Sequence, residues 1–542
     1  MNQPNRLNLL NRIIQKKEYL VIFILVLVKV AIHIITNINA GFDGDEIMHI
    51  DAGNHLAWGY MSIQPLIGLL AWVQNLCNSD SVFVHHLFAH CAAVGIMIIS
   101  GLTVIKLGGS WKAVLLVLTC ILVAPGFSYS QHIFTPLVFE QLFWLLSFYL
   151  LIIYNKENKA KYLIYLAICL ALGLMVKLSI LIFIAGIGIS ILLCKRDVLV
   201  QKSFWLAAGI FLVIISPNLF WQYQHGFPAV QHMTALHGKM LVKFDVLDNL
   251  KLLFITTNPF AAVVWLTAIL FAPFVAFAKN IRVVAIAMCI PFLILVVFRG
   301  QFHYYFPTIL TALCVGSVVL ENYLKSRIKW LWLYLPLLVV SAFILTPKMM
   351  PVLPLDKYIE NLNHSEDDKN EQLFFTQQSI ADNRIKNKDE RIPISFEAYY
   401  THNDWLNLTE ALNTIYQRLP QDKQSDCLIW TRCYTQAGGI NLYGKKYKLP
   451  QAFTQHAGCY EWIPTFDKNV TIIVVANAKS PADSLGIGSF FAPAFDKLTW
   501  KQAVFCPYAR TSSNAYYMLY LGEGLRFNSD TLKLRYEDYI FE

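Results

Sequence analysis

Charge is scarce in this chain. Asp, Glu, Lys and Arg make up 15% of its 542 residues and hydrophobic residues 56%, whereas soluble domains carry roughly a quarter charged residues. That deficit excludes an ordinary soluble globular protein. No long internal repeat, low-complexity tract or coiled-coil heptad is present either, so the chain is not a repeat array. None of the eleven cysteines shows the paired C-x-x-C spacing of a zinc site, and no structural metal is expected. Gly438 and Gly439 lie outside any G-x-G-x-x-G pattern, which removes the usual reason to expect a nucleotide site. The net charge of +9 is a topology signal rather than a mark of nucleic-acid binding, because its cations cluster in short loops.

What is present is a series of apolar runs, each near the roughly 20 residues that cross the ~30 Å hydrocarbon core. They cover 19–36, 82–105, 111–127, 137–154, 161–176, 178–194, 204–220, 257–278, 281–298, 302–320 and 330–346. The expectation is a polytopic α-helical membrane protein with about 11 transmembrane helices. Residues 62–77, SIQPLIGLLAWVQNLC, have a shorter apolar part that suits an interfacial or re-entrant segment. With that piece lying flat, alternate loops hold the basic residues: Arg6, Arg12, Lys16 and Lys17; Lys106 and Lys112; Lys156, Lys159 and Lys161; Lys195, Arg196 and Lys202; Lys279 and Arg282; Lys325, Arg327 and Lys329. By the positive-inside rule these loops and the N-terminus are cytoplasmic. The opening segment is basic, but a full-length apolar run follows without a small-residue cleavage site, so it reads as a retained first helix.

The stretch GFDGDEIMHIDAGNHLAWGYMSIQPL, residues 41–66, holds Asp43, Asp45, Glu46 and Asp51 and no Lys or Arg. Topology puts it outside, in the loop 37–81 after the first helix. On a helix, Asp45 and His49 share a face, as do Asp51 and His55. Trp58, Tyr60 and Trp72 are of the type that anchors at headgroup level. The plain reading is a solvated acidic loop. Against it stand two cations expected on the same side, Lys177 in GLMVKLSIL and Arg299 in FRGQFHYYFP. Either alone could snorkel to the interface; together with the carboxylates they favour a shared polar cavity. His225 lies beside the turn residues Gly226 and Pro228, so a helix cap is its plain alternative, and Tyr304 and Tyr305 read equally as an aromatic belt.

After Pro347 the chain turns polar, enough for one domain over 347–542, beside a membrane domain over 1–346. Its helix-like DWLNLTEALNTIYQRL, strand-like DCLIW, turn-rich QAGGINLYGKKYKLP and strand-like NVTIIVVAN predict a soluble extracytoplasmic α/β domain. Cys427, Cys433, Cys459 and Cys506 allow up to two disulfides there. The N-x-[ST] triplets at Asn363, Asn407 and Asn469 have meaning only in a host that glycosylates them.

These segments resemble a known family. DGDEIMHIDAGNHLAWGYMSIQPL is similar to the first outer loop of bacterial GT-C glycosyltransferases, those related to dolichyl-phosphate-mannose protein mannosyltransferases and to lipid A aminoarabinose transferases. FTPLVFEQLFWLLSFYL, GLMVKLSIL, SPNLFWQYQHGFPAVQH, QFHYYFPTILTALCVG and WTRCYTQAGGINLYGKKYKLP follow in the family's order, from about Gly41 to Pro464. The resemblance implies a GT-C-like fold in a bacterial cytoplasmic membrane. It implies an inverting transfer of a sugar from a polyprenyl-phosphate donor to a lipid, glycan or protein acceptor, with no cofactor. Asp45 would be the base with Glu46 beside it, Lys177 and Arg299 would bind donor phosphate, and His225, Tyr304, Tyr305 and His49 would orient substrate. The chain departs from the family pattern at Ile47 and Met48, where an aromatic is usual, at the single Pro65, and at Leu178, where relatives carry tyrosine. Two other classes remain: a transporter or flippase of a lipid-linked or anionic substrate, with ionisable groups near mid-membrane, and a receptor or structural protein that would make Asp45 dispensable.

Overall fold

A computed structural model describes residues 16–239, 245–272, 281–324, 329–345, 350–355, 357, 394–483, 490–506 and 515–540. Arg6, Arg12, Lys279, Lys325, Arg327 and Asn363 lie outside these residues. In chain order the helices that matter are α1 (Lys17–Asn39), α2 (Gly44–Ala52), α3 (Pro65–Asn75), α4 (Val82–Leu107), α5 (Trp111–Val123), α6 (Pro125–Ser130), α7 (Pro136–Glu157), α8 (Ala160–Leu174), α9 (Ile180–Cys194) and α10 (Lys202–Gln224). They continue with α11 (Pro228–Lys239), α12 (Val246–Thr256), α13 (Pro259–Phe271), α14 (Arg282–Val297), α15 (Phe306–Tyr323), α16 (Lys329–Leu345), α17 (Ile394–Gln417), α18 (Tyr434–Tyr443) and α19 (Ser529–Arg535).

A helix stands in each of the eleven expected membrane segments. By length and composition, however, five described helical runs can cross a membrane, or six if α12 and α13, bent by 115°, form one broken span. Five shorter apolar helices of 10–17 residues accompany them. The shortening has local causes. The expected run 111–127 breaks because Ala124 precedes Pro125 and is held extended (φ −81°, ψ 113°). Helix α3 has 11 residues, about 16 Å at 1.5 Å per residue, too short to span.

The chain divides into two compact units: residues 1–35, 57–67 and 86–350, and residues 36–56, 68–85 and 351–542. In the first, α10 and α1 present outward rows of apolar side chains, among them Trp205, Leu206, Val213 and Phe220, and Phe23, Ile24 and Leu27. Such rows suit a lipid surface, and this is a multi-pass membrane protein. Helix α15 lies inside the bundle, where a Cβ on Gly316 would sit 2.0 Å from the Val264 carbonyl oxygen of α13. Only glycine permits that backbone approach, a common device between membrane helices.

The second unit contains a five-stranded sheet. Its strands are β1 (Cys427–Thr431), β2 (Ala452–Phe453), β3 (Thr471–Ala478), β4 (Phe495–Phe505) and β5 (Tyr516–Leu525), in the order β2-β1-β3-β5-β4. β1 pairs in parallel with β2 and β3, and β5 is antiparallel to β3 and β4. Trp430, Phe453, Val474, Met518 and Tyr536 form its core. DCLIW, NVTIIVVAN and the helical DWLNLTEALNTIYQRL are found as expected. The segment QAGGINLY is helix α18 rather than a turn. Its glycines serve packing: a Cβ on Gly438 would lie 2.5 Å from Ile47 Cγ2 and one on Gly439 2.6 Å from the Trp405 ring. Helix α2 therefore packs on α18, and residues 36–56 group with the tail, so the units cut across the expected boundary at 346. All eleven cysteines are free thiols, including the four of the tail.

Candidate active site

The acidic stretch folds as the short helix α2 because it caps itself. Asp43 accepts a hydrogen bond at Oδ1 from the Asp45 N–H at 3.0 Å, while Glu46 Oε2 accepts from the Asp43 N–H at 3.2 Å. This is a capping box. It uses Asp43 and Glu46 for folding, and Glu46 is fully buried. Asp45, between them, is exposed. The phenol of Tyr434, at the start of α18, donates to Asp45 Oδ1 at 2.7 Å. Burial first, and then the adjacent Asp45 charge, push the Tyr434 phenol far above its ordinary range, so the hydroxyl keeps its proton and remains a donor. His49 follows Asp45 by one turn of α2 and is buried.

Asp51 behaves differently from expectation. Helix α2 ends at Ala52, so His55 is not on its face. The His55 ring stacks on Trp462, centroids 4.8 Å apart and nearly parallel. Burial holds His55 below its ordinary range, with the charge of Asp51 working the other way. The Asp51 carboxylate accepts instead from Asn54 at 2.9 Å and from Asn441 of α18 at 3.0 Å.

The membrane unit holds the expected cations. Lys177 lies in the turn between α8 and α9, and its Nζ stands 3.1 Å from Glu140 Oε2 of α7. The ammonium also lies 4.6 Å from the centroid of the Tyr304 ring, within cation–π range. The Ser179 hydroxyl donates to the other Glu140 oxygen. Glu140 is fully buried, so Lys177 is paired with an internal carboxylate. The two tyrosines part: Tyr304 covers Lys177, whereas Tyr305 is buried with its ring edge-on to Phe292 at 5.3 Å. Arg299 is exposed just past α14 with φ +54°. His225 caps α10, its Nδ1 2.8 Å from the Trp221 carbonyl oxygen and its ring stacked on Trp221 at 4.0 Å. Trp58 and Trp72 are exposed as interface anchors should be, but Tyr60 is buried, with its hydroxyl accepting from the Ala57 N–H.

Sequence reasoning missed Glu140, Tyr434 and Asn441. Glu140 carried a signal, a lone acid in the apolar run FTPLVFEQLFWLL, since an intramembrane carboxylate needs a partner. Tyr434 and Asn441 carried none, because each meets its acid across nearly four hundred residues of sequence.

Residues 65–221 match the family described as dolichyl-phosphate-mannose-protein mannosyltransferase. None of the curated proteins matches the chain. Among solved structures, ArnT from Cupriavidus metallidurans bound to undecaprenyl phosphate is similar, with a TM-score of 0.53 and 11% identity over 92% of this chain and 97% of that one. The apo form of the same ArnT gives 0.53 and 12% over the same shares. At such identity the likeness is one of fold. The chain thus carries, over residues 65–221, a segment matching the mannosyltransferase family, within a multi-pass membrane protein whose fold is similar to that of ArnT.

Proposed function

We propose that the protein transfers a sugar from a polyprenyl-phosphate-linked donor to an acceptor hydroxyl or amine, at the outer face of a bacterial cytoplasmic membrane, with the N-terminus inside and the C-terminal domain outside. The observation that carries this reading is the exposed carboxylate of Asp45, held on a capped helix by the Tyr434 hydroxyl, in a chain that matches the mannosyltransferase family over residues 65–221. Undecaprenyl phosphate bound to the similar ArnT supports the donor class.

The chemistry follows from the residues. Asp45 takes the proton of the acceptor O–H or N–H as the acceptor lone pair bonds to the anomeric carbon. The bond from that carbon to the phosphate oxygen breaks, and its electron pair leaves on the lipid phosphate. Attack opposite the leaving group inverts the anomeric centre. Lys177 is the cation proposed to meet the growing phosphate charge, with Glu140 and Tyr304 fixing its position and Arg299 as a second, exposed cation. Glu46 serves the helix cap, a positioning role beside Asp45.

A transporter or flippase is the second reading. The pairing of Lys177 with the buried Glu140 favours it, since ion pairs inside membrane bundles often mark substrate or proton paths. Proteoliposomes carrying a polyprenyl-phosphate sugar labelled in the sugar separate the two. Transfer predicts label in acceptor and an equal amount of free lipid phosphate. Transport predicts intact donor on the opposite leaflet, and that result would overturn the enzymatic reading.

A further inference from the structure

Within the membrane unit, three histidines distant in sequence meet. His33 lies near the C-terminal end of α1, His90 lies in the first turns of α4, and His132 sits in the turn between α6 and α7. His132 Nδ1 stands 3.4 Å from His33 Nδ1 and 3.3 Å from His90 Nε2, and the three nitrogens all lie within 4.8 Å of one another. The His33 ring is stacked on that of His90 with centroids 4.3 Å apart. His33 and His132 are buried and His90 is half-buried.

Two nitrogens bound to one tetrahedral zinc at about 2.0–2.1 Å stand about 3.3–3.4 Å apart. Both measured separations from His132 fall there. A neutral imidazole has one N–H and one bare nitrogen, so three ring nitrogens converging on one point can all be satisfied together by a cation that accepts three lone pairs. His86, one turn before His90 on α4, stands edge-on to His132 at 4.9 Å and to His90 at 5.6 Å, close enough to orient the set or complete it.

The opposing charge is Lys29, buried one turn before His33 on α1. An ammonium there disfavours ions held mainly by charge, such as magnesium or calcium. It leaves the ions that bind imidazole strongly, zinc, copper and nickel. We propose that His33, His90 and His132 form a transition-metal site that joins α1, α4 and the segment entering α7. The expectation of no structural metal rested on cysteine spacing, which does not register histidines at positions 33, 90 and 132.

The test uses the full chain in detergent, purified without a polyhistidine tag, stripped with chelator and re-equilibrated with Zn2+. The expected result is about one tightly held zinc per chain, lost in His90→Gln and in His132→Gln, with thermal stability of the wild type rising on zinc addition. Wild-type protein that retains no more zinc than the variants would overturn the proposal. Should the variants fail to fold, Co2+ titration of the wild type decides: intense visible bands of a low-coordinate nitrogen site support it, and only the pale spectrum of hydrated Co2+ overturns it.

Discussion

The Lys177–Glu140 pair offers a perturbation whose stability and activity effects separate. At 3.1 Å, unit charges attract by about 5 kcal/mol with an effective dielectric near 20, an energy offset by taking both groups out of water. Removing one partner leaves the other buried and uncompensated, at a cost of roughly 3–5 kcal/mol, whereas replacing both with neutral groups of similar size is close to neutral. Lys177→Met should therefore destabilise the protein strongly, because Glu140 is fully buried. Glu140→Gln should cost less, since Lys177 keeps some access to solvent. In the double variant Glu140→Gln/Lys177→Met, Ser179 can still donate to the amide oxygen, and stability should return most of the way. Sugar transfer should not return, because the cation proposed for the donor phosphate is gone. Heating detergent-solubilised protein and following the surviving monodisperse fraction reads the first effect; label transfer in membranes at matched expression reads the second. A double variant as labile as Lys177→Met would refute the energetic argument, and wild-type transfer in either lysine variant would refute the assignment of Lys177.

Three further outcomes follow from the second unit. Tyr434→Phe removes the 2.7 Å hydrogen bond to Asp45; at an exposed carboxylate this is worth about 1 kcal/mol, so transfer should fall roughly fivefold, and unchanged kinetics would show that Asp45 needs no such support. Gly438→Val drives a side chain into Ile47, where a Cβ already falls 2.5 Å from Cγ2; overpacking of about 1–3 kcal/mol should loosen α2 and reduce transfer more than Gly438→Ala does, and equal activity in all three proteins would contradict the packing. Burial pushes Glu461 up from its usual 4.5 to about 7, with Lys533 working against the shift. The native state thus holds a proton that the unfolded chain has released, so this contribution is complete below about pH 4.5 and is lost as pH rises through 7. Melting of the full chain in detergent should show that decline, and Glu461→Gln should flatten it; an identical slope in the variant would show that Glu461 is not its source.

How much of this was readable beforehand depended on the range of the interactions. Strands β1 and β3 and helix α17 were legible, because short apolar runs such as TIIVVA and helical spacing are local signals. Asp43 and Glu46 carried the three-residue spacing of a capping box, yet reading them only as charges hid their part in folding. Helix α18 was not legible: Gly438 and Gly439 look like turn residues, and only the closeness of Ile47 and Trp405 explains glycine inside a helix. Lys177 was visible as a cation interrupting an apolar run, but its partner Glu140 lies thirty-seven positions earlier and no spacing rule links them. Tyr304 and Tyr305 show the same limit, since adjacent residues of one type diverged into a cation–π contact and a core side chain. The histidine cluster draws on three separate segments, so each histidine looked ordinary alone.

The central claim is that Asp45 removes a proton from the acceptor during sugar transfer. The most direct test is transfer of labelled sugar from polyprenyl-phosphate donors into lipid, glycan and protein fractions, comparing membranes that hold wild-type protein with membranes that hold Asp45→Asn at matched expression. The amide keeps the size of the side chain and can still accept from Tyr434, but it cannot act as a base. The account predicts label in the wild type and, in the variant, a loss on the order of a hundredfold or more, the usual scale of general-base catalysis. Equal incorporation by both proteins would contradict it.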